Sequence, residues 1–329
     1  MHTCTVYGVR GKAGSPTDPD VYWVSLGYKQ LASKFFEHSG IQVSHGLVKR
    51  LLNELGYRYR KPYKVLSTGV YLYCVRSTRY SQRDAQFKII FQLLALLELA
   101  GQNPIISIDC KKKERLGKLS RDGKCLSTGA LRVFDHDYAH LSEGKVIPHG
   151  IYLYCVRSTR YDLRTKTGYL SIGTSSETAE FVYDNLMWWW NDYGIHQYPD
   201  AKNIVIFCDA GGANSYRHHV FKYWMLKFAE ETGVSLVFCH YPPYASKWNP
   251  IEHRLFCHVN RAAAGVVFDT YQTVVDTIGN TSTQTGISVI VRMNWKYYKT
   301  GIKMDKNKVD YNRIRAHSKI PELNYRIVA

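Results

Sequence analysis

No two of the eight cysteines (Cys4, Cys74, Cys110, Cys125, Cys155, Cys208, Cys239, Cys257) stand at CxxC spacing. No cysteine and histidine series has zinc-finger spacing, which disfavours a zinc module. Several cysteines sit inside apolar runs, where cysteine behaves as a small hydrophobe, and this fits a reducing, cytoplasmic setting. Long apolar runs are also missing. The longest, residues 91–100 (FQLLALLELA), is too short to cross a bilayer and contains Glu98. The N-terminus has no basic-then-apolar signal pattern, so no membrane partner is expected. Acidic residues are scarce, 27 Asp and Glu against 44 Lys and Arg, a formal charge of +17. That surplus attracts polyanions, of which nucleic acid is the commonest. On charge alone a basic housekeeping enzyme or a ribosome-associated protein stays open. What is present is a foldable chain: 329 residues, 45% hydrophobic and 14% aromatic, enough for two or more domains.

Residues 1–27 hold Gly, Pro, Ser and Asp in turn-like clusters and read as an irregular lead-in. A helical pattern follows with Leu31, Phe35 and Phe36 on one face; Gly40 breaks it. Ser44 is placed to cap a second helix through Val48, Leu51, Leu52 and Leu55. Two short helices joined by a Gly-containing turn over 28–66 predict a helix-turn-helix, with Lys49 and Arg50 on the second helix. Arg58, Arg60 and Lys61 stand just behind it among tyrosines, as phosphate-gripping cations would; a helical subdomain with a solvated basic tail is the competing reading. Residues 67–103 read as a linker with a helix beginning near Phe87. Over 104–290 strands at 104–109, 169–173, 203–208 and 234–240 alternate with helices, which predicts an α/β sheet covered by helices. Residues 291–329 read as a basic, aromatic tail whose rings and cations suit nucleic-acid backbone and unpaired bases. The decamer YLYCVRSTRY occurs twice, at 71–80 and 152–161, with no similarity around it, and is expected to be an inserted element rather than a domain repeat.

Phosphodiester chemistry at neutral pH needs a strong nucleophile and relief of charge on the leaving oxygen. Paired Mg²⁺ ions supply both, and such hard cations want carboxylate oxygens. Three acids stand where they could converge. Asp109 ends the strand IISID and precedes Lys111, Lys112 and Lys113, three cations expected on DNA phosphate; Asp209 ends NIVIFC and precedes Gly211 and Gly212. Glu252 follows Asn249 and Pro250 at a helix start. Each also has a structural explanation: a turn aspartate, a strand-to-helix turn, and a capping-box glutamate whose cap is Asn249. Their order on strand, strand and helix is the stronger signal.

That order resembles the RNase H-like arrangement of DDE transposases. The segments IISIDCKKKERLG, KVIPHGIY, GYLSIGTSSETAEF, IFCDAGGANSYR and FCHYPPYASKWNPIEHRLF are similar to the ISAzo-type insertion-sequence transposases, and NPIE also to mariner-like enzymes. The resemblance runs from about residue 20 to about residue 305. It implies an RNase H-like mixed sheet flanked by helices, with Asp109, Asp209 and Glu252 as catalytic metal ligands. Two Mg²⁺ ions are implied, with Mn²⁺ able to substitute. His240, Lys247, Asn249, His253 and Arg254 fall in the third motif, and Lys247 and Arg254 are expected on DNA. The implied reaction is metal-dependent cleavage of an element end in double-stranded DNA, then strand transfer by the freed 3′-hydroxyl. A homo-oligomer that pairs two ends, in the nucleoid, goes with it. No nucleophilic Tyr or Ser motif stands out, so no covalent protein–DNA intermediate is expected. The family usually carries a further N-terminal region, so an N-terminally truncated copy is expected. A catalytically impaired or domesticated DNA-binding protein is the alternative.

Overall fold

The computed structural model describes residues 23–24, 26–60, 63–65, 83–97, 102–136, 138–154, 167–242, 245, 248–283 and 286–329. They form two compact units. The first draws on Met1–Tyr71, Glu114–Val146 and Val259–Ser282, the second on Leu72–Lys113, Ile147–His258 and Thr283–Ala329.

In the first unit, helices α1 (Tyr28–Ser39) and α2 (His45–Glu54) are separated by a turn at Gly40. Ser44 caps α2, its side chain accepting from Leu47 N at 3.1 Å. The two helices bury Leu31 with Val48 and Leu52 against Leu26, Tyr57 and Leu126. Leu126 comes from the middle strand of a three-stranded antiparallel sheet of Trp23–Val24, Cys125–Ser127 and Arg58–Arg60. Two helices alone could not close this small core; the sheet supplies its floor.

The second unit is built on one mixed sheet. Its strands are β1 (Ile105–Cys110), β2 (Gly144–Leu153), β3 (Thr167–Gly173), β4 (Asn203–Cys208), β5 (Ser235–His240), β6 (Ser288–Asn294), β7 (Ile314–Ala316) and β8 (Asn324–Ile327). Their order is β6-β3-β2-β1-β4-β5-β8-β7. β2 runs antiparallel to β1 and β3, while β4 is parallel to β1, β5 to β4 and β6 to β3. The carboxyl ends of β1, β3, β4, β5 and β6 therefore share one edge. Alternation along the strands divides the faces. Ile106, Ile108, Ile204, Ile206, Leu236 and Phe238 pack under helices α4 (Ala179–Trp189) and α5 (His219–Thr232). Ile105, Val205, Phe207 and Cys239 face α3 (Arg83–Leu97) through Ile90. This is the mixed sheet flanked by helices that the sequence predicts.

Three differences are informative. β2 is absent from the sequence reading because KVIPHGIYL holds Pro148 and Gly150, both unfavourable inside a strand. Pro148 is tolerated because it lies opposite Lys111, just past the end of β1; its carbonyl accepts from Lys111 N at 2.9 Å and only the return bond is lost. The tail expected over 291–329 contains β7 and β8, and β8 pairs antiparallel with β5. Of the decamer copies, Tyr152–Tyr154 are described, Tyr152 and Leu153 within β2 opposite Ser107 and Ile106; residues 71–80 and 155–161 lie outside the described residues. Among the described residues no helix is long and apolar enough to cross a membrane, and the cysteines there, Cys110, Cys125, Cys208, Cys239 and Cys257, form no disulfide.

Candidate active site at the carboxyl edge of the sheet

Asp109 is the fifth residue of β1 and only 7% exposed. Its Oδ1 accepts from Cys110 N at 2.8 Å and its Oδ2 from the Asn249 amide at 3.2 Å. Asp209 follows directly on β4, and its Oδ1 is reached by the Asn214 amide at 3.4 Å. Glu252 opens a π-helical turn, Glu252–Phe256, that continues into helix α6 (Cys257–Ala262). π-turns recur at functional sites, where they re-aim a side chain.

The helix start is clipped to β1 by a buried hydrogen-bond set. Ser107 Oγ donates to Asn249 Oδ1 at 2.5 Å and accepts from Ile251 N at 3.2 Å, while the Asn249 amide also reaches Ile108 O at 3.1 Å. The Asn249 cap inferred from sequence is thus corrected. Its side chain turns away from its own helix and ties the strand of Asp109 to the helix of Glu252; Ser107 satisfies the helix donor instead. Two glycines permit the close approach. A Cβ at Gly150, opposite Asp109, would meet Phe256 at 2.7 Å and Ile251 at 2.8 Å, and one at Gly168 would meet Leu255 at 2.4 Å.

His240, at the end of β5, is fully buried. Its Nδ1 lies 2.9 Å from the Asp209 carbonyl and its Nε2 3.0 Å from the Tyr325 hydroxyl. A carbonyl can only accept, so Nδ1 carries the proton and Nε2 accepts from Tyr325. Burial pushes His240 down to about 4, which keeps it neutral.

The acids repel one another. Burial, then the charges of Asp209 and Glu252, raise Asp109 to about 8. Burial raises Asp209, with Glu177 adding to it, and burial raises Glu252, opposed by His253 and Lys111. Glu177, not among the acids singled out from sequence, therefore belongs to this edge. It precedes Thr178, the cap of α4, and accepts from the Cys110 thiol. Its Oε1 occupies the space a Cβ at Gly212 would need, 2.9 Å away. The sequence marks only that Glu177 follows strand 169–173 by a short loop; its place at the edge of Asp209 comes from the strand directions. Among the described residues no three His, Cys, Asp or Glu side chains gather closely enough to hold an ion between them.

The expected DNA contacts fall in several places. Lys49 and Arg50 are exposed on α2, and with Gly46, Asn53, Glu54 and Arg58 they line a shallow groove of about 440 Å³. Arg58 also clamps the end of α2, donating to Asn53 O at 2.7 Å. Arg60 lies in the strand Arg58–Arg60, while Lys61 and Lys247 lie outside the described residues. Lys111 departs from expectation. It is 7% exposed, and its charge acts on Glu252, whereas Lys112 and Lys113 are exposed. The difference comes from pairing: Lys111 N still bonds to β2, so the chain has not yet left the sheet. Arg254 is exposed, with its guanidinium 5.6 Å from the Tyr154 ring centre.

No curated protein matches the chain. Three solved structures are similar to the chain over part of its length. The Mos1 transposase paired-end complex with left transposon end has 14% identity and a TM-score of 0.39, covering 79% of this chain and 70% of that one. The mariner Mos1 paired-end complex with Mg has 14% identity and a TM-score of 0.40, with the same coverage. The catalytic domain of Mos1 mariner transposase has 12% identity and a TM-score of 0.38, covering 61% of this chain and 81% of that one. A family model described as the Rhodopirellula transposase DDE domain matches residues 10–329. The chain belongs to that family of DDE transposases.

Proposed function

We propose that Asp109, Asp209 and Glu252 hold divalent metal for cleavage of element-end DNA and strand transfer into a target. The observation that carries this reading is the carboxylate edge itself, where burial and two like charges hold Asp109 near pH 8. A site that makes carboxylate charge this costly is suited to a cation that would offset it. The donor set is all oxygen and suits Mg²⁺ or Mn²⁺, two ions in the usual scheme for phosphodiester chemistry. When bound, such ions supply Lewis acidity and offset the charge of the phosphate under attack.

The chain's own residues then have distinct tasks. Asn249 presents Asp109 and, through Ser107, sets where Glu252 begins its helix. His240 holds the backbone of Asp209. Lys111 tempers the charge on Glu252. The exposed Lys49 and Arg50 on α2 form a basic face suited to the major groove, with Arg58, Arg60 and Lys61 behind it on phosphates. Lys112, Lys113, Lys247 and Arg254 would grip the strand nearer the acids. Pairing two element ends calls for at least two copies of the chain on DNA.

The test is Mg²⁺- or Mn²⁺-dependent nicking of DNA that carries the terminal repeats flanking the gene. The wild-type chain should cut, and Asp209→Asn should lose about 10³-fold or more, the scale of loss when electrostatic stabilisation of the reacting groups is removed. Unchanged cleavage by Asp209→Asn refutes the assignment; binding without cleavage by the wild type points to a DNA-binding derivative.

A further inference from the structure

Trp295 and Tyr297, just beyond β6, take no part in the proposed chemistry and are 63% and 79% exposed. They are not on a loose loop. Ser175 Oγ donates to Lys296 O at 3.1 Å and accepts from Tyr298 N at 3.0 Å. The Asn294 amide donates to the Tyr298 hydroxyl at 2.8 Å, and that hydroxyl donates to Asp184 at 2.7 Å. Lys296 pairs with Glu180 and Asp184, each at 2.8 Å. Residues 294, 296 and 298 are thus anchored, and the rings of 295 and 297 between them are largely exposed. Two rings displayed from a fixed backbone lose little freedom when something stacks on them.

Their place in the fold says what that is. β6 is parallel to β3 and β3 to β1, so Trp295 leaves the sheet at the edge that carries Asp109 and Asp209. Its anchor, Ser175, is two residues before Glu177, whose charge acts on Asp209. With β3 and β2 between β6 and β1, the offset across the sheet is three strand spacings, about 14 Å. Lys296 is neutralised by its carboxylate partners, but Lys299 and Lys303 follow exposed, in a chain of net charge +17. Exposed rings among cations match a nucleic-acid strand whose bases are out of a duplex, because paired bases already have their faces covered.

We infer that Trp295 and Tyr297 form a stacking platform for unpaired bases of the DNA strand that enters the acid edge, with Lys299 and Lys303 on its phosphates. The platform rests on the proposed nuclease reading and adds a single-stranded segment to its substrate. The probe is an oligothymidylate of about twelve nucleotides, within the usual span of such sites, against a duplex of equal length. Full-length chain is titrated with each in EDTA, so that binding does not depend on metal. The Trp295→Ala/Tyr297→Ala double variant should lose about tenfold or more in affinity for the single strand, as expected for lost base–aromatic stacking. Its duplex affinity should stay within about twofold. Trp295→Phe/Tyr297→Phe should retain single-strand binding, because the ring faces remain. Equal loss on both probes, or no loss on the single strand, overturns the platform. The Asp209→Asn cleavage assay is independent of this titration, so retained cleavage there would sink the acid assignment and leave the stacking result standing.

Discussion

Replacing Asp109 with Asn should make the metal-free protein more stable at pH 8 while abolishing its activity. The carboxyl ordinarily titrates at 3.8 and here at about 8, with burial the larger cause and Asp209 and Glu252 next. Between those values the folded chain keeps a proton that the unfolded chain has released. The folded state binds more protons, so unfolding free energy falls as pH rises through that window. At about 1.4 kcal/mol per pKa unit the full difference bounds the cost at about 6 kcal/mol. Water entry and side-chain rotation on ionisation return part of this, so we expect about 2–3 kcal/mol. Asn cannot ionise and its one oxygen keeps the bond from Cys110 N. Its amide then faces that of Asn249, and the bond to the second carboxylate oxygen is lost. The net gain at pH 8 is the charge cost less about 1 kcal/mol for that bond. The assay is urea unfolding of both proteins in EDTA from pH 5 to pH 8. The variant's midpoint should exceed the wild type's at pH 8, with the gap narrowing toward pH 5 as the pH nears the value at which the unfolded chain's carboxyl also holds its proton. Added Mg²⁺ should raise the wild-type midpoint and leave the variant's nearly unmoved. A variant less stable at pH 8, or a gap that does not change with pH, refutes the reasoning.

Asn249→Ala removes the acceptor of the Ser107 hydroxyl and the amide that reaches Ile108 O and Asp109, and should cost about 1–3 kcal/mol in denaturant unfolding; cleavage should fall about 100-fold as Glu252 loses its register with Asp109. Gly168→Ala forces a methyl against Leu255 and should destabilise by about 1–3 kcal/mol, with a drop in cleavage that Leu255→Ala in the same chain partly restores. Tyr325→Phe removes the hydroxyl that His240 accepts from, so melting temperature should fall and, since Asp209 is held through that ring, half-saturation with Mg²⁺ should need a higher concentration. His149 and His240 are held neutral by burial, at about 3 and about 4. The unfolded chain binds protons that the folded chain refuses below about 6.5. Stability should therefore fall as pH drops from there toward 4, and His240→Gln should flatten that limb in thermal melts.

Much of this protein was legible without coordinates. The buried strands IISID, NIVIFC and SLVFCH are apolar runs bounded by turns, and Ser44 with Gly40 marks the helical pair, because local propensity and hydrophobic patterning act over neighbouring residues. The order of Asp109, Asp209 and Glu252 was readable for the same reason: each ends or begins an element that its own neighbours specify. What sequence could not supply were relations across the chain. β2 was hidden by Pro148 and Gly150, which are acceptable only because β1 ends beside the one and the helix of Glu252 lies on the other. β8 reads as basic tail until β5 is there to pair with it. Glu177 becomes a fourth acid only when the parallel run of β3 and β1 brings their ends to one edge. Asn249 looks like a helix cap locally, and its actual partners, Ser107 and Ile108, are more than a hundred residues away. Sequence determined which residues are proposed to carry the chemistry, because those choices are local. Tertiary structure alone decided how they are held, since burial, like-charge repulsion and hydrogen bonds between distant strands exist only once the sheet has formed.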